Sequence, residues 1–110
     1  MYAIEEGLKK INGVAVETFR REVTEANTAL TVEAGTTGYK GSPTRKAGGR
    51  TYASIVCECG DFLFTPVRDE GNQIIGIEIA ACGDAGLDAL MKALEFVRQA
   101  IGDQRCEVDD

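Results

Sequence analysis

Apolar and polar residues alternate along several stretches in the middle of the chain. A period of two is typical of half-buried β-strands, because successive side chains point to opposite faces of a sheet. The alternation predicts four strands, at residues 29–34, 51–59, 62–68 and 73–82. Residues 14–23 fit both a strand and a helix. We favour a strand, because residues 25–28 then form a hairpin turn into the next strand.

The N-terminal residues follow helical spacing instead. Ile4, Leu8 and Ile11 would share one face of a short helix, with charged residues on the opposite face. The pair Asn12-Gly13 is a typical helix terminator. The sequence therefore predicts a short amphipathic helix over residues 1–12.

The C-terminal part of the chain has the strongest helical pattern. A helix is predicted over residues 84–101, with Asp84 as its N-cap and Gly102 as its C-cap. The acidic residues 103–110 are expected to form a frayed tail. Large apolar residues recur at helical spacing and form the predicted buried stripe: Leu87, Leu90, Met91, Leu94, Val97 and Ile101.

Together these elements predict a single α+β domain over residues 1–110. An antiparallel meander sheet of four to five strands, within residues 14–82, is expected to be covered on its apolar face by the C-terminal helix. The edges of such a sheet are exposed, and homodimers often form by pairing or covering edges. We therefore expect a homo-oligomer.

Composition narrows the classes of function. With 44% hydrophobic and 27% charged residues, the 110-residue chain can bury an ordinary core. Its net charge of −6 argues against binding to duplex nucleic acid or an anionic membrane, since both need a broad basic surface. We find no pattern of a secretory signal and no apolar run long enough to span a membrane. Four cysteines without an export signal indicate reduced thiols and a cytoplasmic protein.

One segment departs from this acidic background. Residues 35–50 contain five of the thirteen glycines and four basic residues, but no acidic residue. Glycines let backbone N–H groups converge on an anion, hydroxyl groups add donors, arginine grips phosphate bidentately, and tyrosine can stack on a ring. The predicted ligand-binding residues are Thr36, Thr37, Gly38, Tyr39, Lys40, Arg45, Lys46 and Arg50.

The spacing of this segment matches neither the Walker phosphate loop nor the dinucleotide-binding pattern. Lys40 precedes Gly41 rather than following it, and no helix follows the glycines. The competing interpretation is a surface loop that is basic without binding a ligand, or one that is ordered only in an oligomer. A loop of this length is more often functional or disordered than neutral. The sequence leaves both interpretations open.

The cysteines and carboxylates do not form a recognisable reactive site. Cys57 and Cys59 would share one strand face, and Cys82 would lie on a neighbouring strand. Packing as small apolar residues is the favoured role, with zinc binding and a reactive thiol as alternatives. The chain has no histidine, so the usual general base near neutral pH is missing. No catalytic residue, metal ligand or cofactor is predicted.

Three stretches of the sequence resemble those of a known group of proteins. They are Leu-Thr-Val-Glu-Ala-Gly-Thr-Thr-Gly-Tyr at residues 30–39, Gly-Gly-Arg-Thr at residues 48–51, and residues 77–84 leading into residues 87–95. Over residues 28–100 the chain resembles small proteins of bacteria and of their phages or mobile elements, a group without a settled activity. In that group the loop is richer in Gly, Asp and His, where this chain has Ser-Pro-Thr-Arg-Lys at residues 42–46. The resemblance implies a small cytoplasmic accessory protein of the kind that phages carry.

The sequence therefore supports three hypotheses of different classes. The first is a non-enzymatic protein that binds a phosphorylated small ligand, such as a nucleotide, and in a phage acts by sequestration or against host defence. The second is a protein–protein interaction module or inhibitor that uses its acidic surface or a sheet edge on a host protein. The third, and the least favoured, is an enzyme that uses cysteine or carboxylate chemistry.

Overall fold

A computed structural model describes residues 4–37 and 49–108, with side chains as far as Gln104. In this part of the chain six strands precede one helix, which confirms the predicted α+β class. The elements are β1 (Glu5–Ile11), β2 (Val14–Glu25), β3 (Thr28–Thr36), β4 (Thr51–Cys59), β5 (Phe62–Arg68), β6 (Ile74–Ala81) and α1 (Gly83–Val108).

The strands form two sheets rather than one. An antiparallel meander in the order β1-β2-β3-β4 confirms the predicted four-stranded sheet, whereas β5 and β6 pair only with each other. The prediction that these last strands continue the same sheet is wrong. The chain leaves β4 through Gly60, whose φ of 125° is readily adopted only by glycine. Alternation identifies strands, but it does not tell which strands pair.

The predicted N-terminal helix is wrong as well. Residues Glu5–Ile11 form β1, which pairs antiparallel with β2. Asn12 and Gly13 both have positive φ, at 49° and 83°, as in the two-residue turn whose twist matches a β-hairpin. This turn brings the two strands together and outweighs the helical spacing of Ile4 and Leu8, which are both exposed.

The ambiguous residues 14–23 are a strand, as favoured. They belong to β2, which runs to Glu25, and a short turn at Ala26-Asn27 leads into β3. Ala26 has a φ of 50°, which turns the chain within two residues. The hairpin expected at residues 25–28 is therefore confirmed.

The core lies between α1 and β3. Leu30, Val32 and Ala34 on β3 are fully buried, and α1 covers them with a stripe of small residues and one phenylalanine. The helix residues of this stripe are Ala89, Ala93, Phe96 and Ala100.

The predicted buried stripe of the helix is wrong for Leu87, Met91 and Leu94, whereas Val97 and Ile101 do pack against the core. Leu87, Met91 and Leu94 remain 55%, 61% and 52% exposed, and Leu90, Val97 and Ile101 are half-buried. The physical reason is that alanine side chains let the helix lie close to the strand, so the face with small residues packs better there. Leu87, Met91 and Leu94 then point away from the sheet.

The helix continues past Gly102 to Val108, so the predicted C-cap and frayed tail are also wrong. Glycine inside a helix costs about 1 kcal/mol and does not have to end it. Gln104 anchors this last part of the helix. Its Oε1 accepts a hydrogen bond from the Thr36 N–H at 2.9 Å, and its Nε2 donates to the Glu17 carbonyl at 2.8 Å. None of the helical residues that the structure describes forms a segment with the length and apolarity needed to cross a membrane.

The four-stranded sheet is strongly coiled. Although β1 and β4 are its two edges, Arg50 Nε donates to the carbonyl of Ile11 at 3.2 Å, and Lys9 Nζ lies 5.5 Å from the centre of the Tyr52 ring. These contacts connect the end of β1 to the start of β4. The coil explains why Val16 is fully buried although it faces away from the helix.

A buried polar pair lies on the same face, away from the helix. Thr18 Oγ1 donates to the Glu33 carboxylate at 2.6 Å, and the two residues are only 1% and 7% exposed. Gly7 leaves the room for this pair, since an added Cβ would lie 2.9 Å from Thr18 Oγ1. The absence of a side chain at Gly7 thus allows β1 to close over the buried carboxylate.

At Gly35 the backbone of β3 lies close against that of β2 at Glu17 and Thr18. The β2–β3 ladder runs from Glu25↔Thr28 to Phe19↔Ala34 and then stops. A Cβ added to Gly35 would overlap the carbonyl oxygen of Glu17. Gly35 is therefore required by packing and not by a turn.

We expect Gly35→Ala to destabilise the fold by about 3 kcal/mol, the upper end for overpacking, because the contact is with backbone. The matched control is Gly102→Ala, since Gly102 has open space around the position of its missing Cβ. This change should stabilise the helix by roughly 0.5–1 kcal/mol. Urea unfolding of the two variants and the parent, at one protein concentration, measures both effects. Similar changes in both variants would contradict the close approach at Gly35.

Candidate functional site

Four residues hold the two ends of the basic segment together. Thr37 N–H donates to the Arg50 carbonyl at 3.0 Å, and Arg50 N–H donates to Thr37 Oγ1 at 2.9 Å. Thr36 Oγ1 and Thr51 Oγ1 lie 2.9 Å apart and share a hydrogen bond. We call Thr36, Thr37, Arg50 and Thr51 the threonine clamp. It joins the end of β3 to the start of β4, the two adjacent strands between which the sequence predicted the basic segment.

The structure brings together three of the predicted site residues, Thr36, Thr37 and Arg50. The other five, Gly38, Tyr39, Lys40, Arg45 and Lys46, lie outside the described residues. Thr36 is the last residue of β3, so the loop starts at residue 37 rather than at residue 35 as predicted.

Arg50 has a structural role that the sequence did not indicate. Its Nε donates to the Ile11 carbonyl and its Nη1 donates to the Gly49 carbonyl, each at 3.2 Å. A guanidinium has five N–H donors, so these bonds occupy part of its hydrogen-bonding capacity. Arg50 therefore ties β1 to β4 in addition to any contact with a ligand.

A groove runs between α1 and β2, on the face of the sheet that the helix covers. It consists of two adjoining depressions of about 440 and 490 Å³, which share Arg21, Phe96 and Gln99. Phe19 and Gln104 line the first depression, and Lys92 lines the second. Since Gln104 also accepts from the Thr36 N–H, the groove reaches the clamp at the end of β3.

The groove is amphipathic rather than basic. Arg21 makes no hydrogen bond or ion pair with any other described residue, whereas Lys92 is paired with Glu25. The acidic residues Glu95 and Asp103 line the same walls and balance the charge of Arg21. Phe19 and Phe96 provide apolar surface. The groove is therefore suited to an apolar ring with a hydrogen-bonding edge, and not to a bare anion.

The pattern of residues along the chain did not predict this groove. Arg21 is on β2 in phase with Phe19 and Val23, whose side chains face the helix. A charged residue in the apolar phase of a strand was a signal that could have identified it. Gln104 gave no such signal, because it was assigned to a frayed tail.

Three of the four cysteines, Cys57, Cys59 and Cys82, have described side chains. Among the side chains that the structure describes, which end at Gln104, no group of three or more Cys, Asp, Glu or His residues could hold a metal ion. Cys57 is half-buried and packs against the core, as expected for a small apolar residue. Cys59 and Cys82 are exposed free thiols, so the packing role predicted for them is wrong.

No protein-family model, curated protein or solved structure matches the chain. The function has to be inferred from the geometry and charge of the described residues together with the sequence.

We expect Gln104→Ala to destabilise the protein by about 1–3 kcal/mol, because it removes the side chain that accepts from the Thr36 N–H and donates to the Glu17 carbonyl. Hydrogen exchange at the Thr36 amide should accelerate. In Gln104→Glu a carboxylate oxygen can still accept from Thr36, so that amide should stay protected although the bond to Glu17 is lost.

Gln99→Ala is the matched control, since Gln99 is an exposed glutamine on the same helix and lines the same groove. It should change stability by no more than about 0.5 kcal/mol, as for most surface substitutions. Equal exchange at Thr36 in all three variants would show that Gln104 does not fix the end of β3.

Proposed function

We propose that this chain is a non-enzymatic protein that binds a small phosphorylated ligand, such as a nucleotide, through the basic segment held by the threonine clamp. The observation that carries the proposal is the clamp itself. It holds both ends of residues 38–48, which include Lys40, Arg45 and Lys46 and no acidic residue, at one place on the sheet.

The charge distribution supports a small anion rather than a polymer. The chain carries a net charge of −6, so the positive charges of this segment are surrounded by a protein of opposite sign. A duplex would meet repulsion over most of its contact area, whereas a small anion feels mainly the local field. Arginine can bind a phosphate bidentately, and lysine acts as a point charge.

The groove supports a ligand that also contains a ring. Its apolar wall is formed by Phe19 and Phe96, and Arg21 adds a guanidinium that makes no hydrogen bond with another described residue. Gln104 lies both in the groove and against Thr36 of the clamp. A nucleotide combines a flat ring with phosphate groups, so it can use the groove and the basic segment together. In a phage, such binding would withhold a nucleotide signal from the host.

The test is a thermal-unfolding screen against a panel of nucleoside mono-, di- and triphosphates and cyclic nucleotides. A ligand at one hundred times its Kd should stabilise the protein by about 2.7 kcal/mol. For a chain of this size each kcal/mol raises Tm by roughly 4–8 °C. The affinity of a ligand that shifts Tm is then measured by calorimetry for the variants.

Arg45→Ala/Lys46→Ala should weaken binding at least tenfold, because two of the three cations of residues 38–48 are lost. Lys10→Ala/Arg20→Ala removes the same charge from the exposed β1–β2 hairpin and should bind like the parent. Arg50 is not used, since its guanidinium also holds the backbone. A panel without any shift, or equal losses in the two double variants, would reject the proposal.

A further inference from the structure

The β5–β6 hairpin exposes an apolar surface that its own chain does not cover. The pairs Phe64↔Ile79 and Pro66↔Ile77 place these side chains on one face of the two strands. Ile77 is 61% exposed and Ile79 is 38% exposed. Only Phe62, at the base of the hairpin, packs against the core. An isolated two-stranded hairpin is at best marginally stable in water, so this face needs a covering partner.

The outer side of α1 exposes a second apolar surface. Leu87, Met91 and Leu94 recur at helical spacing and are all more than half exposed. The opposite side of α1 is occupied by the sheet through its alanines and Phe96. A helix that is apolar on two opposite sides is typical of one that is buried on both.

The solvent-exposed area of the chain is larger than that of a typical monomer, as expected if a partner covers part of it. The whole chain exposes 7512 Å², against about 5,900 Å² for a compact monomer of 11.8 kDa. The excess of about 1,600 Å² is in the range that each subunit buries in an obligate dimer. Its radius of gyration is also large, at 15.5 Å against roughly 13 Å for a compact domain of this length.

The two surfaces match each other in length and chemistry. The hairpin face from Phe64 to Pro66 spans about 7 Å along the strand, and the helix stripe from Leu87 to Leu94 spans about 10 Å along the helix. The shared face of Phe64, Pro66, Ile77 and Ile79 has no charged residue. An aliphatic and aromatic strand face fits the helix stripe from Leu87 to Leu94 without burying an unpaired charge. The stripe ends at Arg98, whose exposed guanidinium pairs with Glu95 at 3.7 Å.

We propose that two copies of this chain form a dimer by exchanging their β5–β6 hairpins. The apolar face of each hairpin lies on the Leu87–Met91–Leu94 stripe of the partner copy. A second copy is the occupant that fits, because the same chain carries both complementary surfaces. One two-fold operation then covers both surfaces in both copies and leaves neither open for further growth. This inference is independent of the proposed ligand.

The test is the molar mass in solution, by light scattering after gel filtration. The parent protein should have twice the 11.8 kDa mass of the chain. Ile77→Glu and Met91→Glu should each weaken dimerisation by at least about a hundredfold, because each buries an unpaired charge. Leu8→Glu is the matched control, since Leu8 is 64% exposed but lies on β1, away from both surfaces. It should remain a dimer.

A mixing experiment identifies the contact. Ile77→Lys and Met91→Glu should each be monomeric alone and form a heterodimer when mixed, because one contact then pairs opposite charges and the other is native. A monomeric parent protein would overturn the proposal. A dimer that survives Met91→Glu but not Ile77→Glu would overturn it as well, since the hairpins would then pair with each other. Far-UV circular dichroism of each variant confirms that the exposed substitutions leave the fold intact.

Discussion

The close packing of the alanine face of α1 on β3 is the contact on which the rest of the structure depends. Ala89 and Ala93 are fully buried against a strand whose Leu30 and Val32 are fully buried as well. Because these side chains are small, the helix lies close to the sheet along its length. That position brings Gln104 to the end of β3, and it also leaves the large residues of the helix on the outside.

Hydrogen bonds of Gln104 and of the threonine clamp hold the end of β3 in place. Where β2 leaves β3 beyond Ala34, Gln104 bonds to the Thr36 amide and to the Glu17 carbonyl and so replaces the missing ladder. The clamp at Thr37 and Arg50 is likewise made largely through backbone groups. The two described ends of the basic segment are therefore joined by bonds among Thr36, Thr37, Arg50 and Thr51. In the function we propose, Lys40, Arg45 and Lys46 serve the ligand.

Patterns within single strands were predictable, and contacts between distant elements were not. Alternation identified β2 to β6, and the position of the basic segment between two strands followed from it. The N-terminal helix was a wrong prediction because Asn12-Gly13 was taken as a helix end, although the same pair forms a hairpin turn. Thr36, Thr37 and Arg50 were found as neighbours in a loop. The groove at Arg21 could not be predicted from the sequence, because it depends on how α1 lies across β2.

The wrong prediction for the helix face has a physical meaning. Hydrophobic periodicity finds apolar stripes, and α1 has two of them: one of alanines with Phe96, and one of Leu87, Met91 and Leu94. A monomer has one core, so the stripe with more apolar area was assigned to it. In the structure the alanine stripe, which packs more closely, lies in the core, and the stripe of larger residues is exposed to water. Such an arrangement is favourable only if that area is buried elsewhere, since each fully buried leucine or methionine contributes about 1.5–3 kcal/mol. In the dimer we propose, each helix has a sheet on one side and a hairpin on the other, and both stripes are explained.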